Sequence, residues 1–225
     1  MAAPHIPEDR LITGERMSRE EFLRRWDAIP DLKNAELIEG IVYVPSPVSW
    51  DHAKFEELMG GWLSHYAWST PGCEVGRNGT WMILGSAPQP DIHLVILPEY
   101  GGQMRFEGKY GAGAPELAVE ICLTSTEVDF GPKLALYQRA GVREYITVEI
   151  FTKRIVWRVL EDGSYRELTS SPDGNFRSRT FPGLWFNQSA FWAADTASLK
   201  TLLQQGLASE EHAAFVRQLN ANQKG

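Results

Sequence analysis

Asp91, Glu120 and Lys133 are two acids and a base set into segments that otherwise read as core. Asp91 follows Pro90 in PDIHLVIL (90–97), Glu120 lies inside ELAVEICL (116–123), and Lys133 opens the amphipathic run KLALYQRAG (133–141). An ionised carboxylate buried without a partner is strongly destabilising, so a fold that holds two of them together must supply a cation, either a lysine or a divalent metal. Two acids and a lysine are the minimum set for holding Mg²⁺ or Mn²⁺ and activating a water beside a phosphodiester.

The elements that carry these residues decide whether they can meet. Side chains alternate along a strand, so Glu116, Ala118, Glu120 and Cys122 share one face and Leu117, Val119, Ile121 and Leu123 the other. Glu120 therefore has small neighbours on its own face, which leaves room for an ion. Asp91 opens its strand behind a proline, with His93 two residues further along the same face. If the two strands pair, the carboxylates converge at one end of a sheet, where a bound cation would relieve their repulsion.

Around this pair the pattern alternates between helix and strand. SREEFLRRWDAI (18–29) has the capping-box spacing Ser18 to Glu21, and Pro30 ends it. AELIEGIVYVPSP (35–47) reads as two strand pieces bent at Gly40. Ser49 caps a longer helix in which Phe55, Leu58, Met59, Trp62, Leu63 and Tyr66 recur at the spacing of one buried face. Asn78-Gly79 predicts a hairpin turn, and the glycine-rich connector 99–115 an exposed loop. A helix is expected from about residue 130 to Gly141, with Asp129 as its cap and Pro132 in its first turn. EYITVEI and RIVWRVL form a hairpin, a further strand lies near YRELT, and the tail from 195 is helical with Asp195 and Ser209 as caps. The order predicts an α/β (α+β) fold, a mixed sheet flanked by helices.

Composition narrows the class. With 225 residues, 43% of them hydrophobic, the chain suits one globular domain with embellishments at its ends. The first residues are charged and lack a signal-peptide core, and no apolar stretch reaches membrane-spanning length, so a cytoplasmic protein without membrane contacts is expected. Cys73 and Cys122 read as reduced thiols, and the lack of a C-x-x-C or His/Cys cluster argues against structural zinc. A net charge of −7 argues against a non-specific DNA coat, but it is compatible with a metal site that is acidic by construction.

Pro90-Asp91 on one strand and Glu120 on the next resemble the PD-(D/E)XK nuclease superfamily, with Cys122 standing at the usual lysine position and Lys133 as the migrated substitute. Over a longer stretch, AELIEGIVYV, Ser46-Pro47, His52, PDIHLV, PELAVEICLTST, Asp129, Lys133, Tyr137 and AGVREYITVE resemble the Uma family of restriction endonucleases. The resemblance covers roughly residues 17–192. It implies a flexible head at 1–16, a restriction-endonuclease-like PD-(D/E)XK domain at 17–192 and a helical extension at 193–225.

It also implies an active site of Asp91, Glu120 and Lys133. The two acids would hold Mg²⁺ or Mn²⁺, and Glu36, His52 and Tyr137 would be accessory groups. The expected activity is metal-dependent hydrolysis of DNA by a chain that acts alone or as a homodimer. A nuclease fold kept only for binding or regulation is the alternative, and RNA is not distinguished from DNA. Bland readings stand beside these: Asp91 suits a turn cap, Glu120 a buried ion pair with Lys133, and Tyr137 and His93 core packing. Lys54, Arg105 and Lys109 are candidates for phosphate contacts.

Overall fold

Two serines fix where the first helices start. Ser18 accepts a hydrogen bond from Glu21 N and opens α1 (Arg19–Asp27), and Ser49 accepts one from His52 N at the head of α2 (Trp50–Trp68). Each oxygen satisfies an N–H that the helix leaves unpaired. Between the helices, β1 (Glu36–Ile38) and β2 (Ile41–Tyr43) form a hairpin whose turn residues Glu39 and Gly40 have φ of 53° and 76°. The computed structural model describes residues 10–123 and 126–223. Of the head expected at 1–16, residues 1–9 lie outside the described residues. Residues 10–16 run along the β1–β2 hairpin instead of standing free: Leu11 is buried, Gly14 N donates to Val42 O at 2.8 Å, and Arg16 bridges to Ile41.

The chain continues through β3 (Cys73–Arg77), β4 (Trp81–Met82), β5 (Ile92–Ile96), β6 (Arg105–Glu107), β7 (Tyr110–Ala112) and β8 (Leu117–Cys122). Two helices, α3 (Thr126–Asp129) and α4 (Pro132–Ala140), lead to β9 (Glu144–Glu149), β10 (Arg154–Glu161) and β11 (Ser164–Glu167). The hairpin β12 (Asn175–Arg177) and β13 (Trp185–Asn187) and the helices α5 (Gln188–Trp192), α6 (Thr196–Leu207) and α7 (Glu210–Asn222) follow. Asp195 and Ser209 cap α6 and α7 as expected. Leu199, Leu203 and Leu219 from these two helices sit in the same buried core as α2. No helix among the described residues is long and apolar enough to cross a membrane.

The main sheet has the order β11-β10-β9-β8-β5-β3, antiparallel except for the parallel pair β8–β9. Parallel neighbours need a crossover, here α3 and α4, and that crossover carries Lys133 back over the strand that holds Glu120. Alternation then separates two cores. Leu117, Val119 and Ile121 join Phe55, Met59, Trp62 and Leu63 on the α2 side, while Ala118 joins Leu136, Tyr137 and Tyr145 on the α4 side. Glu120 shares the parity of Ala118 and so faces α4.

Three expectations are corrected. Asn78 has φ 51°, but the chain does not reverse there and β3 and β4 form no hairpin: Asn78 N still donates to Asp91 O, the turn comes at Leu84 and Gly85, β3 pairs with β5, and β4 pairs with β7 in a separate three-stranded sheet. The connector 99–115 is no plain loop, because its residues 105–112 form the β6–β7 hairpin around Gly108 at φ 62°. Asp129 does not cap α4. The cap position is Gly131, without a side-chain hydrogen bond, and Asp129 is the buried last residue of α3. Cys73 and Cys122 are free and buried.

Candidate functional site

Asp91 stands one residue before β5, just beyond the point where the β5–β8 ladder stops at Ile92–Val119. Its Oδ2 accepts the next β8 amide, Ile121 N, at 2.6 Å. The carboxylate thus takes the place of a missing ladder carbonyl, which fixes it beside the strand that carries Glu120. His52, in the first turn of α2, brings Nε2 within 3.5 Å of the same oxygen, and its Nδ1 lies 3.7 Å from Glu56 Oε2.

Glu120 and Lys133 form the buried half of the site. Glu120 Oε1 accepts from Tyr137 OH at 3.0 Å and lies 3.1 Å from Lys133 Nζ. Lys133 also reaches Glu36 Oε1 at 3.0 Å and Asp129 Oδ1 at 3.5 Å. Lys133 and Tyr137 lie one turn apart on α4, so both meet the same carboxylate. Glu36 is held by Gln89 N at 2.6 Å. All six residues singled out in the sequence, Asp91, Glu120, Lys133, Glu36, His52 and Tyr137, therefore come together. Asp129 and Glu56 join them and were not anticipated as site residues. Two signals for Asp129 were its place in the run of residues that carries the family resemblance and its spacing of four from Lys133, which places both on one face if the helix extends back that far. Lys54, Arg105 and Lys109 do not line the cleft.

The cleft, about 220 Å³ in volume, opens between the Pro45–Ser49 segment, α2 and the sheet end, with Asp91, Glu120, Ile121 and Lys133 on its wall. Five carboxylates, from Glu36, Glu56, Asp91, Glu120 and Asp129, face two bases, Lys133 and His52. Burial pushes the Glu120 carboxyl well above the usual range; Lys133 opposes the shift, and Asp129, Asp91 and Glu36 reinforce it. Burial also disfavours the Lys133 ammonium, but Glu120, Glu36 and Asp129 outweigh it and raise its pKa well above the ordinary lysine value. His52 behaves alike: burial works against its charge, yet Asp91 and Glu56 raise its pKa. The cluster is short of positive charge.

That shortage is the test of whether a divalent cation suits these residues. The donors facing the cleft are carboxylate oxygens, the hard ligands that Mg²⁺ and Mn²⁺ prefer, whereas the buried Cys122 thiol is pushed far up by burial and is no thiolate ligand. Among the described residues no three His, Cys, Asp or Glu side chains already form a metal cage. Two carboxylates completed by water match the way Mg²⁺ is usually held, so the residues fit such an ion and do not fit structural zinc.

The sequence matches the Uma2 family, described as “Putative restriction endonuclease”, over residues 19–189. The fold is similar to the crystal structure of a protein described as a putative nuclease belonging to DUF820 from Anabaena variabilis ATCC 29413. The TM-score is 0.58 and the identity 14%, over 83% of this chain and 99% of that one. No curated protein matches the sequence.

Proposed function

The chain belongs to the Uma2 family of putative restriction endonucleases, and from that premise we propose that it is a metal-dependent endonuclease that hydrolyses DNA phosphodiester bonds. The observation that carries this reading is the convergence of Asp91, Glu120 and Lys133 on one cleft, with Lys133 Nζ 3.1 Å from Glu120. Asp91 and Glu120 would hold Mg²⁺ or Mn²⁺, which supplies the positive charge that polarises the phosphate and acidifies a water. The amide of Ile121 keeps Asp91 aimed into the cleft, and the Tyr137 hydroxyl does the same for Glu120. Lys133 can only donate, so its role is to orient the attacking water or to offset charge on the phosphate oxygens. His52, whose Nε2 lies 3.5 Å from Asp91 Oδ2 on the cleft wall, would be an accessory group that steadies this carboxylate.

Incubation of supercoiled plasmid with purified protein and Mg²⁺, Mn²⁺ or Ca²⁺ tests the proposal. Nicking is expected with the first two and not with Ca²⁺, whose loose coordination positions water poorly. Asp91→Ala and Glu120→Ala should each slow cutting by at least about 100-fold. Undiminished cutting by both variants overturns the assignment, and a parent that takes up Mn²⁺ yet cuts nothing favours a nuclease fold kept for binding.

A further inference from the structure

The acidic cleft does not end at Gln89. This residue also lines a second hollow of about 270 Å³ below α1, whose walls include Trp26, Lys33, Lys109 and Tyr110. Thr80, Lys109 and Tyr110 in turn line a third hollow of about 210 Å³, walled by Trp81, His93 and Phe106. The three share lining residues in sequence and lie side by side from Asp91 to the β6–β7 hairpin, as a trough interrupted where the buried side chains of Gln89 and Thr80 hydrogen-bond to each other. Its chemistry changes along the way, from carboxylates, through the amides of Asn78 and Gln89, to two lysines and finally to aromatic rings.

The far hollow is floored by the packed rings of Trp81, which is 2% exposed, and His93. A Cβ at Gly76 would lie 2.2 Å from His93 Nε2, one at Gly79 2.9 Å from His93 Cε1, and one at Gly111 3.1 Å from Trp81. These glycines clear the space in which Trp81 and His93 meet edge to face, 5.0 Å apart. Phe106 on β6 is 69% exposed although hydrophobic, and His93 Nδ1 is buried without a hydrogen-bond partner. Lys109 lies over the Tyr110 ring at 5.1 Å and is tied to Asp27 only by an exposed ion pair at 3.3 Å, which a phosphate can replace at little loss.

An exposed ring beside a cation, in the hollow next but one to a phosphodiester site, suits a strand whose bases are free to stack. A base paired inside a duplex cannot enter such a hollow without leaving its stack. We infer that the trough is the path of an unpaired nucleic-acid strand: the scissile phosphate lies at Asp91 and Glu120, a flanking base is seated against Phe106, and Lys109 is on the backbone. The substrate class is thus a single-stranded or locally unpaired nucleic acid, an inference that rests on the nuclease reading above.

Fluorescence anisotropy with a labelled 12-nucleotide single strand and the matching duplex, in Ca²⁺ buffer, tests it. Phe106→Ala and Lys109→Glu alter exposed side chains, so the fold should survive, and thermal melts check that it does. The parent should prefer the single strand, and each variant should lose about tenfold in affinity for it with duplex binding unchanged. Lys200→Glu, the same charge change on α6, should have no effect. Equal affinity of the parent for both forms, or single-strand binding that ignores both variants, overturns the proposal. Plasmid nicking separates the two readings. A parent that binds the strand through Phe106 and Lys109 but cuts nothing sinks the nuclease reading alone; one that nicks while its strand binding ignores those residues sinks the trough alone.

Discussion

Glu120 on β8 and Glu144 on β9 stand on neighbouring parallel strands, both buried, and differ in what surrounds them. Glu144 faces the α2 side, where Trp157 Nε1 donates at 2.7 Å, Ser178 Oγ at 2.9 Å, and the amides of Arg179 and Thr180 at 2.7 Å each. These donors are neutral, and they fill both oxygens of the carboxylate. Glu120 has one phenol and one ammonium, and it shares the ammonium with Glu36 and Asp129. Burial raises the pKa of both residues. The difference is that Glu144 is satisfied by fixed dipoles of the fold, whereas Glu120 sits among like charges that one lysine does not balance. The first arrangement staples a loop to the sheet; the second calls for another cation.

The sharpest way to break this contrast is to remove a partner from each cluster. Lys133→Ala strips three carboxylates of their cation, and Glu144→Ala leaves four donors unmatched, so each should lower stability by about 3–5 kcal/mol. Mn²⁺ should restore most of the loss in Lys133→Ala, because it supplies the missing charge, and none of it in Glu144→Ala. Urea unfolding with and without Mn²⁺ measures both, and rescue of both variants, or of neither, would erase the distinction.

Sequence alone separates these two glutamates only in part. Pro90-Asp91, the small residues flanking Glu120 and the Ser18 and Ser49 caps are local signals, and the structure places each of these residues where its pattern implies. Glu144 in EYITVE reads much as Glu120 does in ELAVEICL, since both are acids in apolar strands. Its donors come from residues 157 and 178–180, and no local spacing announces them. Asp129 fails for the opposite reason: an acid just before Pro132 satisfies the rule for a helix cap, yet α3 turns its carboxylate toward Lys133. The β6–β7 hairpin is hidden because each strand has three residues, too few for alternation to stand out among glycines.

A smaller effect comes from the cation itself. If Glu120 and Asp91 await one, Mn²⁺ at a hundredfold above its dissociation constant should stabilise the parent by about 2.7 kcal/mol. The Asp91→Ala, Glu120→Ala double variant should show no such gain in thermal melts; an equal gain would place the ion elsewhere. Glu120→Gln sharpens the point further. The amide keeps an acceptor for Tyr137 and removes one of the crowded charges, so without metal the variant should be as stable as the parent or up to about 1 kcal/mol more stable. Glu144→Gln sets an NH₂ group against donors and should cost about 1–3 kcal/mol. A loss of equal size in both would mean that Glu120 is as well matched as Glu144.

The smallest expected effect concerns a polar group of Glu144's kind, His212. Its Nε2 lies 2.9 Å from Thr70 Oγ1 and its Nδ1 3.0 Å from Leu207 O, and its ring meets Tyr66 edge to face. Burial lowers its pKa below the ordinary 6.5, against a smaller opposing pull from the Leu207 carbonyl. Above pH 6.5 the ring is neutral in both folded and unfolded chains and stability does not depend on it. As the pH falls through 6.5 the unfolded chain takes up a proton that the folded one resists, so stability drains away until the folded pKa is reached. Melting temperatures from pH 7.5 to 5.5 should therefore fall more steeply for the parent than for His212→Gln, all other titrating groups being common to both. Parallel curves would show that the ring accepts a proton in place, and that a buried polar group met by neutral partners is not held to one charge state as Glu144's surroundings suggest.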